Sequence, residues 1–267
     1  MVPELGRIGP IVIRTYSLIL DLAIILGLAV LAWQGQRREG RSATWVDAGL
    51  GALIGGIILG RLGHVAIYWA YYSHHFNEAL QPWRGGMDWH LAVIGGLIGL
   101  ALVCRWRGLS FPVVASVIAV ILPVSAGLIY TGCLMVSCGH GREVASLTAY
   151  PLGVALELPD LYGVIAPRLA SQLYGVLWSG LVFACVILLI RRMKRPRIHL
   201  WPVLLLIGVG AFLIGFTRGD EIPMIGPLRL DQIMDLAIII LGLAMTLATV
   251  IPIRQRTLYG PVGFTRR

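Results

Sequence analysis

Charge is what this chain has least of. Only 13% of its 267 residues are charged, against 57% hydrophobic, where a soluble domain carries about a quarter charged and about half apolar. That poverty excludes an ordinary water-soluble fold. Cysteine is scarce too: Cys104, Cys133, Cys138 and Cys185 are too dispersed for a disulfide framework. Met1 to Pro10 lack the charged start and small-residue cleavage pattern of a removable signal, so the first apolar run is expected to act as its own uncleaved insertion signal. No internal repeat is visible, which removes the usual mark of inverted-repeat transporters.

What the chain does have is long apolar runs, with a mean hydropathy of +0.81. Crossing a bilayer core takes about 20 apolar residues, and seven runs approach or exceed that, at about 11–33, 48–71, 90–104, 112–136, 172–190, 200–217 and 230–252. The reading is an all-α, polytopic membrane protein with seven transmembrane helices, N-terminus outside and C-terminus in the cytoplasm. It forms one transmembrane domain over 1–257, with an outer segment at about 137–171 and a short cytoplasmic tail over 258–267. Orientation follows from the basic residues. With the N-terminus outside, the inner loops hold Arg37, Arg38 and Arg41; Arg105 and Arg107; Arg191, Arg192, Lys194, Arg195 and Arg197; and Arg254, Arg256, Arg266 and Arg267, which is 14 of the 22 basic residues. The net charge of +9 therefore reports topology, and no nucleic-acid partner is inferred.

The stretch Trp83-Arg84-Gly85-Gly86-Met87-Asp88-Trp89-His90 carries the chemistry. Its histidine stands at the mouth of an apolar, glycine-rich helix, where an imidazole titrating near neutrality is suited to act as a general base; the plain alternative is a structural interfacial histidine. Arg61 lies mid-span, where a guanidinium either receives a phosphate through paired hydrogen bonds or pairs with Asp21 or Asp235 to hold helices together. Tyr16 is either an interfacial anchor or a hydroxyl donor to a lipid headgroup. In Gly139-His140-Gly141-Arg142, close backbone N–H groups and an arginine favour an anion. Cys133 and Cys138 either form a disulfide or pack as small residues, and a continuous helical path disfavours the bond. The spacings Gly51 to Gly55, Gly56 to Gly60, and Gly95-Gly96 with Gly99 signal close helix packing. No metal site is expected, since His74, His75 and His90 lack a completing carboxylate or cysteine, and no cofactor is inferred. The segment from Glu143 to Arg168 either folds as a small lid or stays mobile, and its mixed leucine, proline and acidic content fits an interfacial lid better.

In order along the chain stand Ile8-Gly9-Pro10-Ile11-Val12-Ile13-Arg14-Thr15-Tyr16; Gly60-Arg61-Leu62-Gly63; Gly85-Gly86-Met87 with His90; Gly132-Cys133 through Cys138 with Gly141-Arg142; Ser171-Gln172-Leu173-Tyr174; and Phe216-Thr217-Arg218 followed by Leu230-Asp231-Gln232. This succession resembles the prolipoprotein diacylglyceryl transferase family, a seven-span bacterial membrane enzyme family, over nearly the whole chain. The resemblance implies transfer of the diacylglyceryl group from phosphatidylglycerol to the lipobox cysteine thiol of preprolipoproteins, with release of glycerol phosphate. It also implies a multi-pass location in the bacterial cytoplasmic (inner) membrane. The partners it implies are phosphatidylglycerol, preprolipoprotein signal peptides with a lipobox cysteine, and membrane lipid.

On that resemblance His90 is the catalytic base, and Arg61, Arg142, Tyr16, Tyr130, Gln172 and Arg218 bind substrate. The chain departs from the family pattern at several places. Ile129-Tyr130 replace a Gly-Arg pair, Ala211 and Gly215 replace an arginine and a glutamate, Leu91-Ala92 replace the glycine pair after the histidine, and Leu169-Ala170 replace a histidine-proline. Tyr130 offers a neutral hydrogen bond and no charge. Either Arg61, Arg142 and Arg218 hold the anion in a shifted arrangement, or the chain is a diverged, catalytically inactive paralogue that binds lipid or a small solute in the membrane.

Overall fold

The computed structural model describes residues 4–8, 11–192 and 200–250. Gly9 and Pro10 of the first motif, the inner-loop residues Lys194, Arg195 and Arg197, and the expected tail over 258–267 lie outside the described residues.

Among the described residues, six helices are long and apolar enough to cross a membrane: α1 (Thr15–Glu39), α2 (Ser42–Ile67), α5 (Trp89–Arg107), α6 (Phe111–Val136), α7 (Ser171–Arg192) and α9 (Leu230–Val250); the shorter apolar helix α8 (Leu200–Gly215) accompanies them. One-turn helices α3 (Trp69–Tyr72) and α4 (Phe76–Ala79) lie between α2 and α5. Three two-stranded antiparallel pairs complete the described chain: β1 (Glu4–Ile8) with β2 (Ile11–Arg14), β3 (Ala155–Pro159) with β4 (Ile165–Leu169), and β5 (Met224–Ile225) with β6 (Leu228–Arg229). The first helix thus begins at Thr15 rather than near 11, because residues 11–14 pair back onto 4–8. The second helix starts earlier than expected, at Ser42, and the third runs 19 residues, its start reaching into the His90 loop.

Glycine brings α2 and α5 into backbone contact. A Cβ on Gly55 would land on the Gly95 carbonyl, one on Gly95 on the Gly55 carbonyl, and one on Gly99 on the Gly51 carbonyl. Without side chains between them the two backbones meet directly, as small-residue packing in lipid requires. The apolar core gathers at the end where α1 finishes and α2 starts: Trp45 and Ala48 of α2 pack with Leu100 and Cys104 of α5, Val114 and Ala119 of α6, Val186 of α7 and Val203 of α8. At that same end Arg41 donates to the Arg107 carbonyl at 2.8 Å, and Arg107 pairs with Asp47 at 2.7 Å. Leu22, Ile25, Ile54, Ile58, Leu102 and Ile240 are exposed along the helix flanks, where lipid tails replace water as the solvent.

The opposite end carries the loops. There α6 stops at Val136, and Ser137 at φ +64° reverses the chain, bringing Cys138 back beside Cys133 with their Cα atoms 4.6 Å apart and their sulfurs bonded. The helical path that disfavoured this bond ends two residues before Cys138, at Val136. The expected lid is an ordered unit: Leu169 N–H donates to the Arg142 carbonyl and Val144 N–H to the Pro167 carbonyl, at 3.1 and 2.8 Å. Buried Arg168 holds Asp160 at 3.1 Å and Glu143 at 3.6 Å.

Candidate functional site

At the loop-bearing end, the last turn of α2, the loop before α5, the segment after α8 and the first turns of α9 enclose a cavity of about 130 Å³. Its lining includes His64, Tyr68, Met87, Asp88, Trp89, His90, Arg218 and Asp231. A water occupies about 30 Å³ in the liquid, so the space suits a small polar group and leaves acyl chains outside.

His90 is placed by its helix start. Asp88 caps α5, its Oδ1 accepting from Leu91 N–H at 2.8 Å, the arrangement that satisfies an orphan donor at a helix N-terminus. The other carboxylate oxygen of Asp88 lies 3.0 Å from His90 Nδ1, and on the far side of the ring Asp235 Oδ1 lies 2.9 Å from Nε2. His90 and Asp235 are both 2% exposed. Burial opposes ionisation of Asp88, yet the hydrogen bonds from His90 and Leu91 outweigh it and hold the carboxyl below its usual range. An ionised carboxylate only accepts hydrogen bonds. Two such partners require a doubly protonated ring, and protonating one of them turns it into a donor to the ring nitrogen. Either way His90 has no lone pair free for a substrate.

Arg61 lies one turn before His64 and pairs with neither Asp21 nor Asp235. Its guanidinium is spent on backbone carbonyls: Nε on Ala79 at 2.9 Å, Nη1 on Gly85 at 2.5 Å and Gly86 at 2.9 Å, and Nη2 on Glu78 at 2.5 Å. The buried arginine thus fastens the loop before α5 onto α2, from behind the cavity rather than within it.

Arg218 is the arginine of the cavity wall. It clasps Asp220 through Nε and Nη2 at 2.8 and 2.5 Å and reaches Asp231 through Nη1 at 3.2 Å. Arg229 contacts the same two carboxylates at 3.3 and 3.1 Å. These two arginines and two aspartates form a compact, formally neutral cluster. Burial opposes ionisation of Asp220, but the hydrogen bond and charge of Arg218, with the charge of Arg229, outweigh it and hold its carboxyl low; the same contacts raise Arg218.

The remaining sequence-derived residues stand around this centre. Tyr130 packs its ring against Gly175 of α7, within electrostatic reach of Arg218, Asp231 and Asp235. Tyr16, half-buried at the start of α1, packs its ring against Gly132. Gln172 is buried, its Nε2 donating to the Cys138 carbonyl at 3.2 Å while its Oε1 has no protein partner. Arg142 is exposed; its backbone N–H is held by the Thr217 carbonyl at 2.9 Å, and among the described residues its guanidinium has no ion-pair partner. So the fold brings His90 and Arg218 together on one cavity and leaves Arg61, Arg142, Tyr16 and Gln172 off its wall.

Sequence reasoning missed three features. Asp88 sits two residues before His90 and was legible as a cap; Asp235 was visible as an intramembrane acid, but its partner lies 145 residues away. His64, three residues after Arg61, had only the glycine-rich context of its helix to mark it.

A family model described as prolipoprotein diacylglyceryl transferase matches residues 3–248. Among curated proteins, the phosphatidylglycerol--prolipoprotein diacylglyceryl transferase of Bacillus mycoides is 30% identical over 254 residues, covering 91% of this chain and 91% of the relative. The protein of the same name from Geobacter sulfurreducens is 29% identical over 251 residues, covering 91% and 93%. That from Francisella tularensis is 29% identical over 268 residues, covering 95% of each chain.

Proposed function

The chain belongs to the prolipoprotein diacylglyceryl transferase family, and from that membership we propose that it transfers the diacylglyceryl group of phosphatidylglycerol to the lipobox cysteine thiol of preprolipoproteins, releasing glycerol phosphate. The observation that carries this reading is the end-to-end likeness to transferases of that name, with both chains covered at nine-tenths or more.

In this reading the chain sits in the bacterial cytoplasmic membrane as a single seven-span domain, α8 being the seventh span, with the N-terminus outside. Arg37, Arg38, Arg105, Arg107, Arg191 and Arg192 all stand in the last turns of α1, α5 and α7, the side where basic residues belong in the cytoplasm. The cavity, the β3–β4 unit and the Cys133–Cys138 bond then face the oxidising outer side, where disulfides persist.

Arg218 is the phosphate ligand of choice, since it alone among the described arginines lines the cavity. Its clasp on Asp220 must loosen for a phosphate to enter, and Arg229 remains to neutralise the released carboxylate. Tyr130 supplies a neutral hydroxyl beside it, and exposed Arg142 is free to draw anionic headgroups toward the opening. Arg61 serves by fixing the loop that carries Gly86 and Asp88. Tyr16 and Gln172 brace α1, α6 and the disulfide turn.

One observation favours a second reading, a lipid-binding protein without transfer: the cavity arginine is already held by the carboxylates of Asp220 and Asp231. Complementation separates the two. In cells depleted of their own transferase, expression of this chain is expected to restore the mobility shift of a reporter lipoprotein; a correctly inserted protein that gives no shift would favour the binding reading.

A further inference from the structure

We propose that His64, rather than His90, takes the proton from the acceptor thiol. The proposal rests on the transferase reading above and assigns a second histidine of the same cavity to the reaction. Both ring nitrogens of His90 are engaged by carboxylates. His64, on the last turn of α2, lines the same space, and among the described residues its ring nitrogens have no hydrogen-bond partner. It is held by shape instead. Its ring lies tilted against Tyr68, centroids 4.7 Å apart, and edge-on to Tyr72 at 5.9 Å. The backbone of Gly86 lies against its Nε2–Cδ2 edge, where a Cβ would stand 2.6 Å from Cδ2, and away from Nδ1; Gly86 also has φ +77°, which a side chain opposes. Arg61 keeps that loop in place through the Gly85 and Gly86 carbonyls. The charged and titratable groups around the ring are Arg61, Tyr68 and Tyr72 from its own side, Asp88 from the loop before α5, and His90, Arg218 and Asp231 on the cavity wall.

The chemistry needs such a group. A free thiol titrates near 8.5 and is mostly protonated at neutral pH, while the thiolate is the nucleophile. The Nδ1 lone pair of the neutral His64 imidazole accepts the thiol proton, and the S–H electrons form the new C–S bond at the glyceryl carbon that bears the phosphate. The C–O bond to that carbon breaks, its electrons leaving on the oxygen of glycerol phosphate beside Arg218. The proton stays on His64 and passes to water. His90, locked between Asp88 and Asp235, is the positioning residue that fixes the cavity wall opposite.

The test is steady-state transfer to a synthetic lipobox peptide by the full chain in phosphatidylglycerol vesicles, for the parent protein, H64Q and H64F. Loss of a general base costs about 100-fold or more in rate. Both variants are expected to lose that much in kcat with little change in KM, to lose the acid limb of the pH profile, and to regain rate on addition of imidazole. H64F keeps a ring against Tyr68 and Gly86, so a purely structural role predicts near-normal activity for it. Variants with parental kcat, or an unchanged acid limb with no response to imidazole, overturn the proposal while leaving the transferase reading intact. A parent protein without transfer overturns both.

Discussion

His90 Nε2 and Asp235 Oδ1 lie 2.9 Å apart, joining the first turn of α5 to α9 across 145 residues of chain. The contact is shut away from solvent, and removing one member of a buried charged pair leaves the other uncompensated, at a cost of about 3–5 kcal/mol. Asp235→Ala is therefore expected to lower thermal stability in detergent markedly, and Asp235→Asn, which retains an acceptor oxygen, by less. Equal melting of all three proteins would show that the pair does not hold the helices.

Arg61→Lys is a sharp test of the carbonyl cradle. One ammonium cannot span the carbonyls of Glu78, Ala79, Gly85 and Gly86 as a planar guanidinium does. Each lost charge-assisted bond is worth about 1.5–3 kcal/mol, so the loop should open and trypsin should cut after exposed Arg84 faster than in the parent. Were Arg61 a direct phosphate ligand, Arg61→Lys would instead raise KM for lipid and leave the tryptic pattern unchanged.

The aspartates outside the spans give stability a defined pH dependence. Asp220 and Asp88 are held below their ordinary range in the fold, so their contribution is complete above the unfolded value of about 3.9 and disappears as pH falls through the lower, folded value. Melting temperature is expected to stay flat in this respect from about pH 5 to 8 and to drop below about pH 4, with a shallower drop in Asp220→Asn. An equally steep acid limb in that variant would count against the cluster.

Thiol counting checks the turn after α6. Alkylation of the denatured, unreduced protein should modify Cys104 and Cys185 alone, and prior reduction should expose Cys133 and Cys138 as well. Alkylation of all four without reductant would contradict the bond.

The helices were legible because apolar run length is a strong local signal, and so was the α2–α5 seam, because glycines repeated along both strips. The first helix was placed too early because the apolar residues 11–13 read as well in a strand as in a helix. His90 was found from its place at the end of a polar loop, but its two carboxylate partners were not, since Asp235 is distant in sequence and Arg61, the partner considered for that acid, spends its donors on carbonyls. Backbone acceptors leave no trace in composition. Neither does a left-handed serine: at Ser137 a glycine would have announced the turn that closes Cys133 on Cys138.

The most direct test of the account is mass spectrometry of a lipobox peptide incubated with the purified chain in phosphatidylglycerol vesicles. The account predicts a peptide heavier by one diacylglyceryl group on its cysteine, with glycerol phosphate released in equal amount. A folded protein with the Cys133–Cys138 bond intact that leaves the peptide unmodified and releases no glycerol phosphate would contradict it.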